Sequence, residues 1–281
     1  MEILKGIAVA NAINERIGEE MKNRKGTVPH LAIVRVGERG DDLAYERGAV
    51  KKMEKVGFTY EVNAFPADIS NEDFLKAFDA INEDPAVDGI LLFKPLPKHL
   101  DEKEVERRIC PEKDLDGISP VNMAKVYAGD PAGFAPCTAE AVMEMLDYAG
   151  IDLTGKRVTV VGRSTVIGKP VTMLLMKKNA TVTVCHTKTK DTEGTCRAAE
   201  VVVAAAGSAK MIGAGHISRG AVVIDVGINV DGEGNLCGDV DFDAVAEKCS
   251  LITPVPGGVG SVTTSVLAKH LLRAANLRNA Q

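Results

Sequence analysis

The sequence predicts an α/β protein of two lobes, each a largely parallel sheet covered by helices. Three observations carry that expectation. The length, 281 residues, suffices for two cores of ordinary size. Short apolar runs alternate with amphipathic stretches from about residue 30, and the alternation starts again near residue 138. Between the two series, from about 94 to 137, prolines at 95, 97, 111, 120, 131 and 136 break the rhythm.

In the first lobe HLAIVRV (30–36), TYEVNAF (59–65) and VDGILLF (87–93) read as strands, separated by helical patterns at about 41–56 and 71–83. In the second, a helix near 138–149 precedes RVTVVG (157–162). A helix from about 168 follows, then TVTVC (181–185), EVVVAAAG (200–207) and AVVIDVG (221–227). The last periodic segment, SVTTSVLAKHLLRAANL (261–277), has Ser261 available as an N-cap and fits either lobe.

Composition narrows the partner. Apolar runs such as Ala221 to Val226 are far shorter than the roughly 20 residues of a membrane span. A net charge of −5 without a long Lys/Arg run argues against nucleic acid or an anionic membrane, and for a small molecule. The N-terminus lacks the pattern of a secretory signal, so a cytoplasmic protein is expected. The six cysteines form no C-x-x-C pair and read as reduced core thiols, with neither a zinc site nor a disulfide framework expected.

RVTVVG-RSTVI-GKP reads as strand, tight turn and helix, with Gly162 leaving the strand, Gly168 opening the helix and Pro170 in its first turn. Free N–H groups and the helix dipole would face an anion there, such as a pyrophosphate. Ser164 stands where the second glycine of G-x-G-x-x-G would be, and the alternative is an ordinary strand-turn-helix joint. At the end of the next strand the chain reads Cys185, His186, Thr187, Lys188, with no acid to take a ribose hydroxyl pair. With Arg163 in the first turn, this favours NADP over NAD. The alternative is a solvated basic loop.

GRSTVIGKP (162–170), VIDVGIN (223–229), TPVPGGVG (253–260), DGILLFKPLP (88–97) and PEKDLDG (111–117) together resemble the bifunctional methylenetetrahydrofolate dehydrogenase/cyclohydrolase family, nearly end to end. The resemblance implies a folate-binding lobe from 1–137 plus 261–281, an NADP-binding Rossmann-type lobe from 138–260, and a homodimer. It places Gly162, Arg163, Ser164, Thr187 and Ile228 along the dinucleotide. Tyr45 matches the tyrosine that stacks on the folate ring system and Asp116 the carboxylate that binds the pterin. Read alone, Tyr45 is a helix-surface aromatic and Asp116 a turn cap.

In that family a lysine follows the tyrosine by four residues and a glutamine on the strand motif holds it. Here those positions are Ala49 and Phe93. Neither group can transfer a proton. Dehydrogenation depends mostly on positioning, whereas hydrolysis of the methenyl product needs proton transfer, for which a general acid or base contributes about 10²–10⁴-fold. The expectation is therefore NADP-dependent oxidation of methylenetetrahydrofolate with cyclohydrolase activity weak or absent. Lys52 and Lys94 are the two candidate replacement bases, which would leave a bifunctional enzyme. A non-catalytic NADP- and folate-binding protein and a dehydrogenase of another pterin or small acid are the further alternatives. Ser261-Val262 also departs from the family's Pro-Met.

Overall fold

The computed structural model describes residues 1–279, in which the chain divides into two compact units. One comprises residues 13–137 and the chain from Thr264 onward; the other comprises residues 1–12 and 138–263. Residues 280 and 281, the end of the expected folate-binding lobe, lie outside the described residues.

The first half of the chain runs β1 (Glu2–Ile3), α1 (Gly6–Asn23), β2 (His30–Val36), α2 (Gly40–Val56), β3 (Thr59–Phe65), α3 (Asn71–Glu83) and β4 (Gly89–Leu92). Two short helices follow, α4 (Glu102–Arg108) and α5 (Pro120–Ala128). Strands β3, β2 and β4 form a parallel three-stranded sheet in that order. Central β2 buries Leu31 to Val34 without alternation, as a parallel strand covered on both faces does. Phe74 and Phe78 of α3 pack in the same core as Ala32, Val34, Ile90 and Leu92. Helix α2 stops at Gly57, whose φ of 76° lets its N–H reach back to Met53 and Glu54. The proline-rich stretch that breaks the alternation contains α4 and α5, capped by Asp101 and Ser119 respectively.

The second half runs α6 (Cys137–Tyr148), β5 (Arg157–Val161), α7 (Gly168–Lys177), β6 (Thr181–Cys185), α8 (Thr192–Arg197), β7 (Val201–Ala204) and β8 (Val222–Asp225). A hairpin of β9 (Asn229–Val230) and β10 (Leu236–Cys237), a short α9 (Phe242–Val245), β11 (Leu251–Ile252) and α10 (Thr263–Asn279) complete it. The large sheet is parallel throughout, in the order β1-β11-β8-β7-β5-β6. Chain order reverses around β5, so ligands are expected at its carboxyl end.

Two expectations differ from the structure. Residues 1–12, expected in the folate-binding lobe, belong with the large sheet because β1 pairs with β11 and Gly6 donates its N–H to Gly257. A Cβ at Gly6 would stand 2.1 Å from the Gly258 carbonyl oxygen, so only glycine allows this approach. Ser261, expected as the N-cap of the last helix, lies in a 3₁₀ turn (Val259–Ser261), and α10 begins two residues later. Among the described residues all six cysteines are thiols, no metal-binding cluster occurs, and no helix is long and apolar enough to cross a membrane.

Candidate active site

Val161 of β5 lies level with Cys185 of β6 and Ala204 of β7. Gly162, His186 and Ala205 therefore emerge side by side at the carboxyl ends of three adjacent strands. Gly162 takes φ 130°, and a Cβ there would meet the Ala205 carbonyl oxygen at 2.0 Å. A Cβ at Gly168 would meet the Gly162 oxygen at 2.3 Å, so α7 starts in contact with the strand end. Ser164, which interrupts the glycine pattern, has a local role: its Oγ accepts from the N–H groups of Ile167 (3.1 Å) and Gly168 (3.4 Å).

The residues from Arg163 to Val166 are all exposed, and among the described residues their N–H groups have no acceptor within the protein. A row of open amides at a helix N-terminus suits a pyrophosphate. The loop fits a dinucleotide. After β6, Thr189 Oγ1 accepts the His186 N–H (2.9 Å) and His186 Nδ1 accepts the Lys188 N–H (3.1 Å). The histidine thus shapes the loop, while Thr187 and Lys188 stay exposed.

Ile228, 70% exposed, borders a cavity of about 220 Å³ lined also by Asp225, Gly227, Leu236, Pro256 and Ser261. Its floor is held by two buried acids that sequence reasoning left without a role. Asp225 accepts the N–H groups of Gly227, Asp239 and Val240, and burial pushes its carboxyl up to about 6. Asp239 accepts those of Ala206, Gly207 and Ser208, plus the Asn229 amide. The aspartate in VIDVG was the available signal.

In the other unit, α2 presents Tyr45, Ala49 and Lys52 along one face, since residues three, four and seven apart on a helix share a side. Phe93 leaves β4 and sets its ring edge-on to Tyr45, with centroids 5.8 Å apart. Ala49 is fully buried and Phe93 nearly so. Lys94 pairs with Glu106 and, at 3.3 Å, with Glu102; these carboxylates raise its pKa against the opposing effect of burial. That holds it as a cation, unsuited to accept a proton.

The two acids of D-L-D-G divide their tasks. Asp114 does the local work, accepting from the N–H groups of Ile118 and Ser119 and from Asn122 Nδ2. Asp116 Oδ1 takes the Cys137 N–H at the start of α6 (2.7 Å), while burial drives its carboxyl above the usual range. The turn-cap reading therefore belongs to Asp114.

Lys52 differs from Lys94 in having no carboxylate partner among the described residues. Its Nζ meets Ser265 Oγ on α10 at 2.7 Å and Asn14 Oδ1 on α1 at 3.2 Å. Burial, reinforced by Lys55 one turn on, lowers its pKa to about 8. Asn14 and Ser265 escaped sequence reasoning, because neither carries a motif.

Comparison with known proteins identifies the family. Residues 4–116 match the catalytic domain of tetrahydrofolate dehydrogenase/cyclohydrolase, and residues 136–279 its NAD(P)-binding domain. The chain is 54% identical over 280 residues to the bifunctional protein FolD of Clostridioides difficile, covering 99% of this chain and 98% of that one. It is 52% identical to the protein of the same name from Alkaliphilus metalliredigens, covering 99% of each. The crystal structure of the bifunctional FolD enzyme from Campylobacter jejuni superposes with a TM-score of 0.95 at 36% identity over 99% of both chains. That of Trypanosoma brucei FolD, complexed with NADP and an inhibitor, gives 0.91 at 38% identity over 98% of this chain and 97% of that one. With both domain models matched in order and relatives above half identity across its length, the chain belongs to the tetrahydrofolate dehydrogenase/cyclohydrolase family.

Proposed function

We propose that the protein oxidises 5,10-methylenetetrahydrofolate to 5,10-methenyltetrahydrofolate with NADP, and that it hydrolyses the methenyl product only weakly. NADP, when bound, would supply the acceptor for a hydride from the methylene carbon. The chain's own residues bind and orient. The open amides from Arg163 to Val166 hold the pyrophosphate. Thr187, Arg163 and Lys188 suit a 2′-phosphate, since a hydroxyl and cations stand where an acid would select NAD. Ile228 supplies an apolar wall beside the cavity. Tyr45 stacks on the folate ring, its own ring set by Phe93, and Asp116 binds the pterin. Burial keeps that carboxyl more basic than usual, which suits a hydrogen bond to a protonated pterin edge.

The observation that carries the second half of the proposal is the filling of the α2 face at Ala49 and Phe93 by groups that move no proton. Dehydrogenation leaves a delocalised cation and needs no base, so it survives their loss. Hydrolysis loses a contribution of about 10²–10⁴-fold. The family resemblance further suggests a homodimer, which sedimentation of the purified protein tests; the cytoplasmic location expected from the N-terminal pattern is tested by fractionation of cells.

The functional test supplies methylenetetrahydrofolate with NADP or NAD and follows reduced cofactor together with methenyl absorbance. Methenyltetrahydrofolate is then supplied alone. Reduction preferring NADP, with methenyl build-up, is the expected result. Hydrolysis as fast as dehydrogenation would overturn the monofunctional part, and absence of any turnover would favour a binding protein.

A further inference from the structure

Lys52 is an amine held in an unusual way. It projects from α2 into a layer formed with α1 and α10, where the groups bonded to it, Asn14 and Ser265, are both neutral. Ser265 is completely buried. The Nδ2 of Asn14 is also buried and has no hydrogen-bond acceptor. Lys55 is the charged neighbour that acts on it, and its sign opposes protonation.

The position matters as much as the chemistry. A Cβ at Gly48 would stand 3.8 Å from Thr264 Cγ2, so the turn of α2 containing Gly48 and Ala49 faces the first turn of α10. The Lys52 amine reaches the next residue of that same turn, Ser265. Helical side chains lean toward the N-terminus of their helix, which carries a long side chain at 52 back over the turn of Ala49. Alanine, itself fully buried, leaves no ionisable group on that turn.

We propose that Lys52 is the base of the protein's residual methenyltetrahydrofolate hydrolysis, with Ser265 as the residue that positions its amine beside the Ala49 turn of α2. This rests on the reading of the folate site given above. The lone pair of Nζ takes a proton from water as the water oxygen bonds to the methenyl carbon and the C=N π pair returns to one folate nitrogen. The ammonium then gives that proton to the same nitrogen as its bond to carbon breaks. The hydroxyl proton of the adduct leaves to solvent and the formyl group stays on the other nitrogen, so one proton is released overall.

The test measures hydrolysis of methenyltetrahydrofolate above its spontaneous rate from about pH 7 to about pH 9, in the full-length protein and three variants. The wild-type rate is expected to rise with pH through about 8 as Nζ becomes neutral. Lys52→Met should lower the ratio of hydrolysis to dehydrogenation by about tenfold or more. Lys52→Arg should not restore it, because guanidinium stays protonated. Ser265→Ala should move the pH midpoint. Melting temperature and NADPH binding serve as controls of folding for each variant. Undiminished hydrolysis in Lys52→Met overturns the proposal; should that variant not fold, an unmoved midpoint in Ser265→Ala overturns it instead. A wild type that dehydrogenates but never exceeds the spontaneous hydrolysis rate removes the role of Lys52 and leaves the dehydrogenase reading intact. A wild type that reduces no cofactor defeats that reading first.

Discussion

The ring of Phe93 stands at 89° to that of Tyr45, edge to face, across 5.8 Å between a strand end and a helix. Such a pair contributes about 0.5–1.5 kcal/mol beyond the area it buries. It also excludes the amide that the family resemblance expects there. Ala49→Lys alone therefore places a cation at a fully buried position with no group to hold it. We expect that variant to melt lower than wild type and to gain less than about tenfold in hydrolysis. Ala49→Lys with Phe93→Gln should gain about 10²-fold or more. Spectrophotometric hydrolysis of methenyltetrahydrofolate checks both, and a well-folded double variant without any gain would refute the lost-pair account.

Ser164 Oγ closes the turn that leads into α7 by accepting the Ile167 and Gly168 N–H groups. Ser164→Ala removes that acceptor and should lower stability by about 0.5–1.5 kcal/mol. The same loop holds the open amides, so NADPH affinity should fall as well. Urea unfolding and calorimetric titration give the two values. A drop in stability with unchanged affinity would mean that the loop binds without needing the Ser164 hydroxyl.

Much of the fold was legible in the sequence, for reasons that also explain what was not. Strands β2 (His30–Val36) and β3 (Thr59–Phe65) and helix α3 (Asn71–Glu83) coincide with the segments read from periodicity, because each is long enough to show its period between clear turn signals. The two-residue strands β1 and β11 have no period to show, and their pairing assigns the N-terminus to the large sheet. Helices α4 and α5 hid among prolines, although Pro120 opens α5 rather than breaking it. At the site, glycines that must avoid a Cβ announce themselves, as Gly162 and Gly168 do. Lys52 stood out only as a candidate base near Ala49; the groups that hold its amine could not be read, since they lie 38 and 213 residues away in the chain.

Thr187 is exposed after β6, where an acid would favour NAD. Thr187→Asp places a negative charge where a 2′-phosphate is expected. The KM for NADP should rise about tenfold or more, and that for NAD should change much less. Initial-rate kinetics with both cofactors reads the ratio. Equal effects on the two would place the 2′-phosphate elsewhere.

The environment of Lys52 also fixes a pH dependence of stability that is separate from catalysis. Its pKa is lowered in the folded protein to about 8 from an ordinary 10.5, mainly by burial. Below about pH 8 both folded and unfolded chains hold the proton, and the desolvation of the ammonium opposes folding in full. Between about 8 and 10.5 the unfolded chain binds more protons than the folded one, so this group makes stability rise with pH. Other lysines, tyrosines and thiols titrate in the same window, and a difference between two proteins removes their contribution. Urea midpoints at about pH 7 and about pH 10 should therefore be compared for wild type and Lys52→Met. The gain of the variant over wild type should be larger at the lower pH and shrink at the higher. Parallel behaviour of the two proteins would mean that the amine is solvated, and would take the neutral base away from the hydrolysis mechanism as well.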